Sequence, residues 1–257
     1  MARQEMARIL QNECIALDTY SLWLDCPALA REAQPGQFVH VLCGEKTLRR
    51  PISICHADAL LGRITLVYAV HGEGTAWLSR CLRGQQLDVL GPLGNGFPVL
   101  EKPARLLVVG GGIGVPPLLD CSLRCGAKSV DAVLGFRTQA QCILEAEFER
   151  KCASVTICTE DGSYGVPGRV TAPMEALLQQ GGYSAVYACG PVPMLNAVVQ
   201  TVAKYGVPCQ ISLEERMGCG VGACLVCAAK IRRTGTEDYL RVCKEGPVFN
   251  AEEVVFE

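Results

Sequence analysis

Excess charge of one sign, long apolar runs and histidine are all scarce in this sequence. Lys and Arg total 24 against 26 Asp and Glu, a net charge of -2 over 257 residues. That balance gives a polyanion little to grip, so nucleic acid and anionic membrane surfaces are excluded as expected partners. No segment reaches the ~18 consecutive apolar residues of a membrane span. The opening Met1-Ala2-Arg3-Gln4-Glu5-Met6-Ala7-Arg8 carries charges but no apolar run before a small-residue cleavage site, and the expected localisation is cytoplasmic. The three histidines, His40, His56 and His71, stand far apart, and none is assigned a ligand role.

Cysteine, by contrast, is plentiful, with 16 in the chain. Cys219, Cys224, Cys227 and Cys243 are spaced C-x4-C-x2-C-x15-C, the plant-type pattern of a 2Fe-2S cluster. Three of these thiols sit on a loop with Gly218, Gly220 and Gly222. Glycine there lets backbone N–H groups turn toward sulfur. The alternative is a structural zinc site, which usually pairs two short cysteine knuckles. Here Cys243 arrives alone after the polar stretch from Arg232 to Asp238, which reads as a hairpin turn. The other 12 cysteines are scattered through apolar runs and read as small buried hydrophobes in a reducing compartment.

Three modules follow from the pattern, an α+β multi-domain architecture. Residues 1–100 carry short alternating runs, including 20–24, 38–42 and 63–70, expected as a small antiparallel β-barrel. One helix is expected from Thr75 to Arg83, capped by Thr75 and closed by Gly84. Pro98 and Pro103, after the glycine-rich 91–96, mark a boundary near residue 100. Residues 101–209 hold the continuous apolar runs 106–109, 130–134, 155–158 and 185–189. These alternate with helical segments near 116–125, 172–180 and 191–205, the signature of a doubly wound α/β domain. Residues 210–257 form the cysteine-bearing unit.

The run Val109 to Pro117 places Gly110, Gly111, Gly112 and Gly114 between a strand and a helix, where bare backbone approaches a diphosphate resting on the helix N-terminus. An ordinary tight turn is the alternative, since the spacing departs from G-x-G-x-x-G. Cys189-Gly190-Pro191 ends the last strand at the edge where such sheets bind ligands; a plain strand-to-helix turn explains it too. In the first module, Arg49 and Arg50 offer guanidinium groups to phosphate and Ser53 a hydroxyl to a ring nitrogen. Gly72-Glu73-Gly74-Thr75 opens the helix. Taken separately, an Arg-Pro pair also suits an edge turn and Tyr68 also suits a core. Glu160 and Asp161 follow a strand, where acidic groups repel a 2′-phosphate and favour NAD over NADP.

Taken in order, R-P-I-S, G-x-G-T, the glycine-rich turn, C-G-P and the four-cysteine loop make the whole chain resemble the ferredoxin reductase-like electron-transfer family. The likeness is strongest to its iron-sulfur and FAD subunits of NAD-dependent dihydroorotate dehydrogenase, type B. The resemblance implies FAD bound by Arg50, Pro51, Ile52 and Ser53, by the strand Val67, Tyr68 and Ala69, and by a diphosphate turn at Gly74 and Thr75. Broader relatives carry an aromatic where Ile52 stands. It implies NAD as co-substrate near Gly110, Gly111, Gly112, Gly114, Cys189, Gly190 and Pro191, with Cys189 near the nicotinamide or else structural. It implies a 2Fe-2S cluster on Cys219, Cys224, Cys227 and Cys243. The implied partner is an FMN-containing dihydroorotate dehydrogenase catalytic subunit, in a heterotetramer of two plus two, working in pyrimidine biosynthesis. Other readings are a subunit of another NAD(P)-linked complex, such as a ferredoxin-NADP oxidoreductase or cytoplasmic hydrogenase, and a zinc-stabilised nucleotide-binding or redox-sensing module.

Overall fold

The computed structural model describes residues 2–101, 104–233 and 235–256. Met1 of the amino-terminal reading, Pro103 of the expected boundary and Thr234 of the expected turn lie outside the described residues. Six strands, β1 (Arg3–Ala16), β2 (Thr19–Asp25), β3 (Phe38–Val41), β4 (Arg50–Asp58), β5 (Arg63–Ala69) and β6 (Gln86–Leu93), close into a barrel in the order β1-β2-β5-β4-β3-β6. Every neighbouring pair is antiparallel. Successive side chains in a strand point to opposite faces. Val39, Val41, Ile52, Ile54, Leu66 and Tyr68 accordingly fill the barrel core, while Phe38, Cys55 and Val67 join cores shared with the rest of the chain.

Two short helices interrupt the barrel, α1 (Pro27–Glu32) and α2 (Glu73–Leu78). The second corrects the expected helix from Thr75 to Arg83. Gly72, with φ +127°, is the N-cap, and Thr75 lies inside the first turn. There the Thr75 Oγ1 accepts the His71 N–H at 2.8 Å. The helix stops at Leu78 because the Asn12 amide donates to the Leu78 and Cys81 carbonyls, at 2.9 and 3.0 Å, and the chain tightens into a Cys81 N–H to Leu78 carbonyl bond.

Beyond residue 103 come β7 (Ala104–Gly111), α3 (Pro116–Arg124), β8 (Ala127–Phe136), α4 (Glu145–Glu149), β9 (Ser154–Thr159), β10 (Val166–Pro167), α5 (Thr171–Gln180), β11 (Ala185–Cys189), α6 (Val192–Ala203) and β12 (Cys209–Ser212). A hairpin of β13 (Ala228–Arg233) and β14 (Thr236–Arg241) and a last strand β15 (Val248–Asn250) complete the chain. The sheet runs β10-β9-β8-β7-β11-β12-β15, parallel up to β12 with β15 antiparallel at its edge. Leu106 and Val108 face α3 and α4, whereas Leu107 and Val109 face α5, α6 and the cysteine-bearing unit. Burial on both faces is why the strand reads as a continuous apolar run, and each such side chain contributes about 1.5–3 kcal/mol.

The modules are stitched together. The Phe97 ring stacks on Tyr187 at 4.8 Å, and the Tyr187 hydroxyl donates to the Pro98 carbonyl at 2.7 Å. The Asn95 side-chain amide donates to the Lys244 and Glu245 carbonyls at 3.1 and 3.0 Å. Among the described residues no helix is long and apolar enough to cross a membrane.

Candidate functional site

Arg49 and Arg50 do different work. Arg49 forks onto the Asp88 carboxylate, with Nη1 to Oδ1 at 3.0 Å and Nη2 to Oδ2 at 2.7 Å, and so is committed to the barrel. Arg50 donates from Nη1 to the Leu48 carbonyl at 2.7 Å, and the rest of its guanidinium lies over Gly74. A Cβ on Gly74 would stand 2.5 Å from Arg50 Nε and 2.9 Å from its Cζ. Only glycine lets the guanidinium close against the start of α2, which joins the two halves of the expected FAD diphosphate site. Lys46 pairs with Glu73 at the same turn. Ser53 and Ala69 are half-buried, and Pro51 is exposed. Ile52 and Tyr68, in contrast, put their side chains into the barrel core. The Tyr68 hydroxyl donates to Asn12 Oδ1 at 3.1 Å, so this phenol braces the amide that ends α2.

The two expected nucleotide turns meet at the point where the strand order reverses, between β7 and β11. Gly110 and Cys189 are partners in that ladder. A Cβ on Gly114 would lie 2.5 Å from the Cys189 carbonyl carbon and oxygen and 2.6 Å from the Gly190 nitrogen. The two turns interlock through bare backbone. Gly112 differs, since its φ of +52° needs glycine and its missing side chain faces open space. Helix α3 starts with Pro116 and Pro117, which carry no N–H; backbone donors at this end are left to the Gly112–Gly114 turn. Met194 packs into the core. Burial pushes the half-buried Cys189 thiol up to about 12, against the lowering effect of a Ser212 hydrogen bond. Asp161 accepts from the Ser163 N–H and hydroxyl at 3.0 and 2.6 Å beyond β9. Gly114→Ala is expected to cost about 1–3 kcal/mol by overpacking and to raise the NADH KM. Urea unfolding and steady-state kinetics measure the two effects.

The four expected ligand thiols gather as two pairs. The Cys219 N–H donates to Cys224 Sγ at 3.4 Å, and the Cys243 N–H donates to Cys227 Sγ at 3.4 Å. Among the described residues no group of three or more Cys, His, Asp or Glu side chains is closed around one point. The donor set is four thiols, soft sulfur ligands of the kind that suit iron-sulfur clusters and zinc alike. For Cys219, burial pushes the thiol up, but N–H groups of Val221, Cys224 and Ala223 outweigh it and bring the thiol down to about 6. Burial and the neighbouring Cys227 thiol push Cys243 up to about 12. Arg241 holds the loop, donating from Nη1 to the Gly222 carbonyl at 2.8 Å and from Nε to Glu245 at 2.9 Å. Leu225 sits at φ +61°, a strained backbone for a branched side chain. Val221, Leu225 and Val226 are exposed around the cysteines.

Two groups escaped the sequence reading. His40 is fully buried, and neither ring nitrogen has a partner among the described residues. Burial first, then the Arg49 charge, lowers it to about 4, leaving a neutral imidazole. The alternation of Phe38-Val39-His40-Val41 sets His40 opposite the barrel-core valines, which was the available signal. Asp120, also fully buried, joins His56 Nδ1 at 2.9 Å and Arg124 Nη1 at 2.8 Å. Arg124 Nη2 also donates to the Ala33 carbonyl at 2.8 Å, clamping α3 to the barrel.

Residues 214–255 match the family model described as the iron-sulfur cluster binding domain of dihydroorotate dehydrogenase B. The chain is 45% identical over 263 residues to the dihydroorotate dehydrogenase B (NAD(+)), electron transfer subunit, of Geobacillus thermodenitrificans strain NG80-2, covering 99% of this chain and 100% of that protein. The protein of the same name from Bacillus caldolyticus is 44% identical over 262 residues, with the same coverage. Among solved structures, the NADH-dependent reduced ferredoxin-NADP oxidoreductase studied for flavin-based electron bifurcation aligns at a TM-score of 0.88 and 30% identity, over 98% of this chain and 90% of that one. Phthalate dioxygenase reductase shares the fold, with a TM-score of 0.63 at 18% identity over 93% and 77% of the two chains.

Proposed function

Since this chain belongs to the family of electron transfer subunits of NAD-linked dihydroorotate dehydrogenase B, we propose that its paired thiols, barrel cradle and interlocked glycine turns divide that subunit's work among them. The protein is an oxidoreductase subunit that takes electrons from a catalytic partner and delivers them to NAD through a 2Fe-2S cluster and FAD. Bound there, the flavin exchanges two electrons with nicotinamide and single electrons with iron. Dihydroorotate oxidation itself belongs to the partner, in pyrimidine biosynthesis.

Residues 1–100 hold FAD in this reading, 101–209 NAD and 210–257 the cluster. Arg50 binds the diphosphate beside Gly74 and Thr75, Ser53 and Ala69 line the flavin, and Pro51, Ile52, Val67 and Tyr68 fix the strands that carry them. Gly112 leaves room for the NAD diphosphate, while Gly110, Gly111, Gly114, Cys189, Gly190 and Pro191 shape the floor of that crevice. Cys219, Cys224, Cys227 and Cys243 would hold the 2Fe-2S cluster through their thiolates. The N–H groups around Cys219 favour its thiolate, the form that binds metal. The exposed Val221, Leu225 and Val226 form the face that meets the FMN-bearing catalytic subunit, in a cytoplasmic assembly of two plus two.

The observation that carries this reading is that the thiol loop packs on β3, the strand paired with the Arg50–Ser53 segment. Cluster and flavin sites therefore share one structural element. Co-purification with the catalytic subunit, followed by dihydroorotate-dependent NAD reduction, tests it; a complex inert toward dihydroorotate but active with reduced ferredoxin would support a ferredoxin-linked role, which the likeness to the oxidoreductase structure favours. Arg50→Leu is expected to weaken FAD binding about 10- to 100-fold, the loss of a charge-assisted hydrogen bond. Flavin fluorescence on titration measures that change.

A further inference from the structure

His40 is the one side chain on the described surface between barrel and cysteine loop whose polar atoms are fully buried and unsatisfied. Its strand pairs it with Pro51 in the FAD segment. The face of its ring, over Nδ1, Cε1 and Nε2, lies against Gly220 of the thiol loop. A Cβ there would stand 2.7 Å from Nδ1 and Cε1 and 3.0 Å from Nε2. Gly220, at φ +71°, is thus bare where the imidazole meets the loop. On its other side the ring leans against Phe38 at 5.8 Å, and Arg49 Nη1 reaches only the His40 carbonyl, at 3.5 Å. Buried polar groups in folded proteins find partners, so a neutral imidazole carrying one N–H, covered by the thiol loop, awaits an acceptor that none of the described residues supplies.

We propose that His40 donates its ring N–H to a sulfur of the loaded cluster or of its thiolates, and that this bond from the barrel raises the cluster's reduction potential. The reduced cluster carries the extra negative charge, so a donor aimed at sulfur stabilises it over the oxidised form. The proposal rests on the reading of the loop as the cluster site. It makes β3 a tuning element common to both redox centres.

The test uses the full chain, loaded with FAD and cluster, in an electron paramagnetic resonance redox titration. His40→Phe keeps a ring of similar volume and removes the N–H. The expected result is a potential lowered by about 59 mV, a tenfold change in a one-electron equilibrium, with iron, sulfide and FAD content unchanged. His40→Gln, which retains N–H donors, is expected to restore part of the shift. With histidine labelled by nitrogen-15, the reduced wild-type cluster is expected to show a weak nitrogen coupling that is missing in His40→Phe. The chain has only three histidines, which makes the assignment direct. An unchanged potential in both fully loaded variants overturns the proposal, as does a reduced cluster without histidine coupling, and the latter needs no variant. Absence of any paramagnetic signal from reduced wild-type protein overturns the cluster reading along with it.

Discussion

Cys224→Ser is expected to abolish dihydroorotate-dependent NAD reduction in the assembled complex, by about 100-fold or more, while most NADH oxidation by an artificial acceptor survives. Removal of a group that only supports a metal ligand typically costs 10–100-fold, and Cys224 is itself one of the four proposed ligands. Its sulfur is exposed and receives the Cys219 N–H at 3.4 Å. A serine hydroxyl at this place is far harder to deprotonate and a poorer partner for soft iron. The proposed FAD cradle at Arg50 and Gly74 and the proposed NAD turn around Gly112 lie outside the cysteine loop, so hydride exchange with NADH is expected to bypass the damage. Comparing ferricyanide reduction with orotate formation in the same preparation separates the two routes. Undiminished coupled turnover in a protein shown to lack iron would rule the route out.

Arg124→Met is expected to give the largest loss of stability, about 3 kcal/mol in urea unfolding. Asp120 is completely buried, and a buried charge stripped of a partner costs about 3–5 kcal/mol. The lower end applies because His56 still reaches the carboxylate at 2.9 Å. The same substitution removes the Arg124 bond to the Ala33 carbonyl, so barrel and nucleotide domain loosen against each other. Asp120→Asn tests the mechanism from the other side. It leaves Arg124 and His56, whose side chains are over a third exposed and can turn to water, so it is expected to cost less than Arg124→Met. The reverse order would remove the buried carboxylate as the cause.

Much of this architecture is legible in the sequence. Strands β7 and β11 are buried on both faces and so write continuous apolar runs; the barrel strands write alternation; the cysteine spacing marks the segment that matches an iron-sulfur binding domain. Short α1 and α4 left no periodic signal, because six and five residues do not complete two helical turns. The limits of α2 were set by Gly72 and by an amide from Asn12, a residue over sixty positions away, which no local rule contains. The same holds for the division of labour between Arg49 and Arg50. Sequence offers two adjacent guanidinium groups, and only the fold reveals that Asp88 has already claimed one. Alternation marks only which face of β3 carries His40, and nothing local marks Asp120, since each owes its importance to a neighbour brought from a distant part of the chain.

Strand β15 has a bearing on how the molecule is made. The sheet's outer edge is finished by residues 248–250, and Cys243 lies just ahead of them. A chain folded only as far as β12 therefore has neither the rung that covers this edge nor the fourth proposed sulfur ligand. Both arrive on one short segment, which couples closure of the sheet to completion of the thiol set.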